Sequence, residues 1–181
     1  MMSTGAHKTT RIALFAAVMA VSAYIRIPIG PVPLTMQSFA ALVTGYCLGP
    51  VHGAAAMLLY TAVGLAGLPV FATGGGPAYL LSPTFGYIIG FSCCAAVTGA
   101  LARLNHRNTV ATAYFIMIIG LAGIYIPGVL WLILSLRWLA DVPPTVASLL
   151  KIGLLVPLVG DLLTAVPAAA LAVRIRKILT R

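Results

Sequence analysis

Only two carboxylates occur in the chain, and one of them, Asp161, sits inside the apolar run LLVPLVGDLLTAVPAAALA, residues 154–172. An ionised side chain in hydrocarbon is costly unless it meets a partner or a polar cavity, so Asp161 marks a functional site if this run crosses a membrane. A carboxylate held there accepts hydrogen bonds from a ligand N–H, and such charge-assisted bonds are the strong kind. The second chemically unusual stretch is FATGGGPAYLLSPTFGYIIGF, residues 71–91. Gly74, Gly75 and Gly76 allow close backbone approach, Pro77 and Pro83 stop helix propagation, and Ser82, Thr84 and Tyr87 add polar tips. It reads equally as irregular backbone lining a cavity at membrane depth and as a plain interhelical loop.

The remaining residues speak against catalysis. An intramembrane aspartyl protease needs two facing acids, but the second acid, Asp141, belongs to a DVPP turn. His7, His52 and His106 fall at span ends, away from where serine or metal chemistry would need them. The glycine triplet lacks the GK[ST] and following helix of a P-loop, so no nucleotide-hydrolysis site is expected in this chain. No repeated polar ring suggests a channel. Cys47, Cys93 and Cys94 lie in apolar runs and read as small core hydrophobes rather than disulfide or metal ligands. A buried acid beside a glycine-rich entrance suits binding of a small solute, with no enzyme activity, cofactor or metal expected.

The elements that must position these residues follow from composition. Of 181 residues 61% are hydrophobic and 7% charged, against roughly 25% charged in a soluble domain. Apolar segments of about 20 residues, the length that crosses a bilayer, follow one another almost without interruption. The chain reads as a single all-α transmembrane domain, 1–181, with six spans at about 10–28, 34–49, 51–70, 81–103, 109–138 and 144–174. Gly and Pro punctuate it at PIGPVP, LGPVHG, LPVFATGGGP and DVPP. The formal net charge of +9 does not point to nucleic acid, because the basic residues sit between spans rather than on one soluble face.

Nor does the N-terminus look like a cleaved signal: Lys8 and Arg11 precede a span that runs on into further spans. With both termini inside, Lys8, Arg11, Arg103, Arg107, Arg174, Arg176, Lys177 and Arg181 are cytoplasmic, against Arg26, Arg137 and Lys151 outside, which is the orientation the positive-inside rule selects. Asp161 then lies about ten residues, roughly 15 Å of helix rise, below the outer side. In the first span Ala13/Ala17 and Ala16/Ala20 are small-xxx-small pairs, fit either for packing within the chain or for docking another subunit.

Residues 28–91 carry a resemblance. The PVPLTMQ opening of the second span, the LGPxxG turn, the GLAGLPVF lead-in to the glycines and the PTxGYxxGF run closely resemble the BioY family, the biotin-binding S components of energy-coupling-factor transporters. The VGDLLTA stretch, 159–165, stands where that family has PGDLxKA; residues 104–150 add topology but little motif.

The resemblance implies a six-helix S-component fold in the plasma membrane that binds biotin from outside. It also implies a membrane partner, the T component, coupled to a pair of cytoplasmic ATPases, and docking through Ala13, Ala16, Ala17 and Ala20. In this reading Asp161 accepts from the ureido N–H groups of biotin, and backbone N–H groups of Gly74, Gly75 and Gly76 cap or close over the tail. Tyr87, Tyr60 and Gln37 become candidate walls, although Gln37 and Tyr60 serve equally as interhelical glue. The sequence departs from the family at Thr164, which replaces a lysine one turn after Asp161, and at Val159, which replaces a proline. A cation beside Asp161 is therefore missing, unless Arg26 or Lys151 supplies one. The competing reading is an S component or solitary permease for another small vitamin-like solute.

Overall fold

A computed structural model describes residues 4–28, 32–105, 107–139 and 145–179. Asp141 with the whole DVPP turn, His106, Arg181 and the centre of the PIGPVP turn lie outside the described residues.

The molecule is mostly helical. Helix α1, Thr4–Ser22, is followed by an antiparallel ribbon of β1, Arg26–Ile27, and β2, Leu34–Thr35, paired Arg26 to Thr35 and Ile27 to Leu34. Then come α2 (Gln37–Leu65), a 3-10 turn over Pro77–Leu81, α3 (Phe85–Leu104), α4 (Val110–Leu139), α5 (Val146–Leu150), a π-helical turn over Lys151–Leu155 and α6 (Val156–Leu179). Among the described residues four helical runs are long and apolar enough to cross a membrane: Gln37–Leu65, Phe85–Leu104, Val110–Trp138 and Val146–Leu179. The first and second expected spans differ from the structure at the proline-rich turn, where 26–27 and 34–35 are extended rather than helical. Proline lacks the N–H a helix needs and holds the residue before it in extended conformation.

The expected second and third spans emerge as one 29-residue run that is not straight. Gly49 has φ 79° and ψ 179°, and Pro50 follows it. The two arms fold back until a Cβ placed on Gly53 would stand 3.1 Å from the Gly45 Cα. In a straight helix residues eight apart are about 12 Å distant. Glycine is required at the hinge because its φ is left-handed. The second arm ends at Leu65 rather than 70: Gly67, at φ 109°, carries the chain away from the helix and donates its N–H to Gly64 O at 3.2 Å.

Small residues bring the other helices together. A Cβ on Gly45 would collide with the Ala95 backbone, one on Gly99 with the Gly49–Pro50 hinge, and one on Gly90 with Gly123 and Ile124 of α4. Without a hydrophobic drive between helices in lipid, such close approach and the dispersion contacts it permits are what holds a bundle together. On α6 the buried residues are Pro157, Asp161, Ala165, Ala168, Ala169, Ala172 and Val173, a stripe at helical spacing. Asp161 belongs to that inward stripe. The Gly49 hinge, Arg103, Asn108 and Arg176 gather at one end of the bundle, with Tyr46 bonded to Asn108 and Arg176 bonded to Ala102 O. The ribbon, the glycine loop and the Tyr87–Gly153 contact occupy the other end.

The cysteines are free among the described residues, with Cys94 buried, Cys47 half-buried and Cys93 exposed. Cys93 is thus not a core residue: its neighbour Cys94 takes the inward direction, and adjacent helical positions cannot both face one core.

Candidate functional site

At the ribbon end, α2, α3, α4 and α6 enclose a cavity with about 510 Å³ of empty space, part of it open to solvent. Its floor and walls include Gln37, Ser38, Tyr87, Phe91, Tyr125 and Asp161, while Val32, Pro33, Thr35, Ala72, Tyr79 and Thr84 close in from the two connecting segments. Most of the lining is apolar or aromatic, and Asp161 is the one carboxylate in it. Small-molecule sites commonly have this make-up: a largely apolar concavity with a few placed polar groups that fix ligand orientation.

Asp161 is 6% exposed. The Tyr125 hydroxyl donates to its Oδ2 at 2.6 Å, and Ser38 flanks the same carboxylate from α2. Tyr125 in turn meets the Tyr87 ring edge to face, centroids 6.4 Å apart, a favoured aromatic geometry. The Tyr87 hydroxyl is engaged elsewhere, donating to Gly153 O at 2.7 Å. That carbonyl lies four residues before Pro157, which has no N–H to offer it. The π-helical turn and the tyrosine thus solve one another's hydrogen-bonding problem, and Tyr87 presents its ring to the cavity.

The connecting segments are braced by side chains. Tyr79 accepts from Thr73 at 3.0 Å and is bonded to Thr84 at 3.2 Å, Thr84 is bonded to Ser82 at 2.9 Å, and the Trp131 indole donates to Ser82 O at 2.9 Å. Phe71 stacks obliquely on Tyr79, centroids 4.5 Å apart, and meets Tyr60 edge to face at 5.4 Å.

Of the residues singled out from sequence, Asp161, Tyr87 and Gln37 come together in this cavity. Tyr60 does not line it. It accepts from Gln37 Nε2 at 2.6 Å and donates to Val70 O at 3.2 Å, so of its two readings the structure favours interhelical glue. Gln37 does both, because its carbonyl also accepts from Thr35 at 3.2 Å beside the cavity.

Gly74, Gly75 and Gly76 are not among the residues that line the cavity. The Gly74 N–H donates to Phe71 O at 3.2 Å and the Gly76 N–H to Gly64 O at 2.7 Å. A side chain on Gly75 would run into Leu68 O. The triplet ties the loop down, with Gly74 and Gly76 at φ 130° and 97°.

Thr164 spends its hydroxyl on Asp161 O of its own helix, at 3.2 Å, and gives the carboxylate no partner. It faces a second cleft, between the ribbon and α6, lined by Ile25, Arg26, Ile27, Leu34, Thr35, Met36, Gly160, Asp161 and Thr164. Lys151 lines neither space.

On α1, Ala13, Ala16, Ala17 and Ala20 all line one groove with Leu59, Tyr60, Val63 and Val70 of the adjoining segment. Ala16 is buried against the chain's own core, while Ala13 and Ala17 are exposed and Ala20 is half-buried. The residues that sequence reasoning missed are Tyr125, Ser38 and Tyr79. Tyr125, a phenol amid the apolar fifth span, was the one with a readable signal, since a buried hydroxyl needs a partner.

Comparison with known proteins agrees with this architecture. The model of the BioY family matches residues 1–181. The "Probable biotin transporter BioY" of Lysinibacillus sphaericus is 38% identical over 169 residues, covering 92% of this chain and 85% of that protein. The biotin transporter BioY of Thermotoga maritima is 36% identical over 167 residues, 91% and 93% of the two chains. The crystal structure of the S-component for biotin from an ECF-type ABC transporter superposes with a TM-score of 0.82 at 26% identity, covering 98% of this chain and 95% of that one. A match along the whole chain, identity well above 30% to full-length relatives and a shared S-component fold lead to one conclusion: the chain belongs to the BioY family.

Proposed function

We propose that this protein is the biotin-binding membrane subunit of an uptake transporter and that the Asp161 cavity is its binding site. The observation that carries the reading is the buried Asp161 carboxylate, held by Tyr125 and turned into an aromatic-walled cavity, in a chain of the BioY family. Biotin has a rigid bicyclic head with two ureido N–H donors and an apolar tail ending in a carboxylate. The ureido donors pair with Asp161, the flat head lies against Tyr87, Phe91 and Tyr125, and Gln37 and Thr35 bond at the rim. Charge-assisted bonds in a site sheltered from water give this pairing its strength.

The chain crosses the membrane six times in this reading, as α1, the two arms of α2, α3, α4 and the α5–α6 run. Both termini lie in the cytoplasm and the cavity opens outward. Ala13, Ala17 and Ala20 form the docking groove for a T component, which couples the chain to ATPases.

Binding of radiolabelled biotin to the purified protein tests the reading. Saturable binding in the nanomolar to low-micromolar range is expected. No saturable binding, or equal competition by an unrelated vitamin, would overturn it in favour of a different small solute.

A further inference from the structure

The cleft between the ribbon and α6 lies beside the Asp161 cavity. Its lining is apolar, from Ile25, Ile27, Leu34 and Met36, except where Arg26, Thr35, Asp161 and Thr164 meet it. Arg26 is exposed, and its guanidinium makes no hydrogen bond or ion pair among the described residues. Asp161 and Thr35 line both this cleft and the main cavity, so the two spaces adjoin at those side chains.

We propose that this cleft receives the aliphatic carboxylate tail of the ligand and that Arg26 is the residue that selects for the carboxylate; the inference rests on biotin as the ligand. An apolar cleft with one cation in its lining complements an apolar chain ending in one anion. The cation is needed for a further reason. A ligand whose head sits on the Asp161 carboxylate carries its own negative charge past a like charge, and an opposing guanidinium offsets that repulsion. Arginine suits the task because its planar fork matches a carboxylate with two parallel N–H donors and stays charged at any working pH. Thr164 keeps the cleft open, since its small side chain folds back onto Asp161 O. Of the two outer cations that could compensate for the threonine, Arg26 lines this cleft and Lys151 does not.

Competition binding of biotin and biotinol, in which CH2OH replaces the carboxylate, tests this on purified full-length protein. Wild-type protein is expected to prefer biotin by about tenfold, the scale of one charge-assisted contact at a partly exposed site. R26Q should lose that preference while its biotinol affinity is unchanged, and R26K should keep part of it. A wild-type preference near one, or an R26Q variant that weakens both ligands alike or neither, would overturn the proposal. If R26Q does not fold, the wild-type ratio and R26K still decide. Saturable binding of neither ligand by wild-type protein would instead defeat the assignment of biotin itself, and this inference with it.

Discussion

In the proposed site Asp161 carries the chemistry because, among the described residues, no opposite charge is bonded to it: the Tyr125 hydroxyl donates to it at 2.6 Å, Ser38 flanks it, and the Thr164 hydroxyl goes to the backbone. A carboxylate has about four lone-pair sites, so acceptor capacity remains for a ligand. Removing the phenol should therefore be felt. The Y125F variant is expected to lose about 1–3 kcal/mol of stability, the cost of leaving a buried polar group short of a partner. A thermal-unfolding midpoint in detergent no lower than wild type would show that the Tyr125–Asp161 bond contributes nothing. Asp161 was legible in the sequence because an acid in an apolar run has few explanations. Tyr125 carried a weaker signal: a tyrosine amid an apolar span needs a hydrogen-bond partner, but nothing along α4 says which way it turns. In a bilayer the lipid-facing surface is as apolar as the core, so periodicity does not say which face turns inward. In the glycine triplet the composition permits ligand approach, while the N–H groups of Gly74 and Gly76 are bonded to Phe71 O and Gly64 O.

At the scale of elements the helices that frame the cavity are held by close contacts at glycines, at the far end as well as beside the cavity. Gly99 of α3 presses on the Gly49–Pro50 hinge, where an added Cβ would stand 2.4 Å from the Gly49 carbonyl carbon and 2.5 Å from the Pro50 nitrogen. Those atoms are backbone and cannot rotate away. The G99V variant should be destabilised by about 1–3 kcal/mol, as expected for overpacking, whereas V97A, at a 37% exposed position of the same helix, should be near neutral. Equal unfolding midpoints for G99V and V97A would show that the hinge contact is dispensable. The sequence announced the turn at LGPVHG through its glycines and proline; the later helix ends lie nearer the expected spans than α1, which runs Thr4–Ser22 against an expected 10–28. The β1–β2 ribbon escaped notice because two paired residues per strand leave no alternation to detect.

Across the whole molecule the proposed binding cavity and the α1 groove are separate surfaces joined through Tyr60, which bonds to Gln37 at the cavity and lines the groove beside Ala16 and Ala20. A bulky side chain in the groove should disturb docking without disturbing binding. The A17W variant is expected to bind biotin within about twofold of wild type, a difference worth only a few tenths of a kcal/mol, yet fail to co-purify with a T component. Retained co-purification would place the docking surface elsewhere. The central claim is that the isolated chain holds biotin through the Asp161 carboxylate, and titration of biotin into purified wild-type and D161N proteins tests it most directly. The account predicts saturable binding by wild type and a loss of about tenfold to a hundredfold in D161N, the scale of a charge-assisted hydrogen bond. Equal affinity of the two proteins would contradict it.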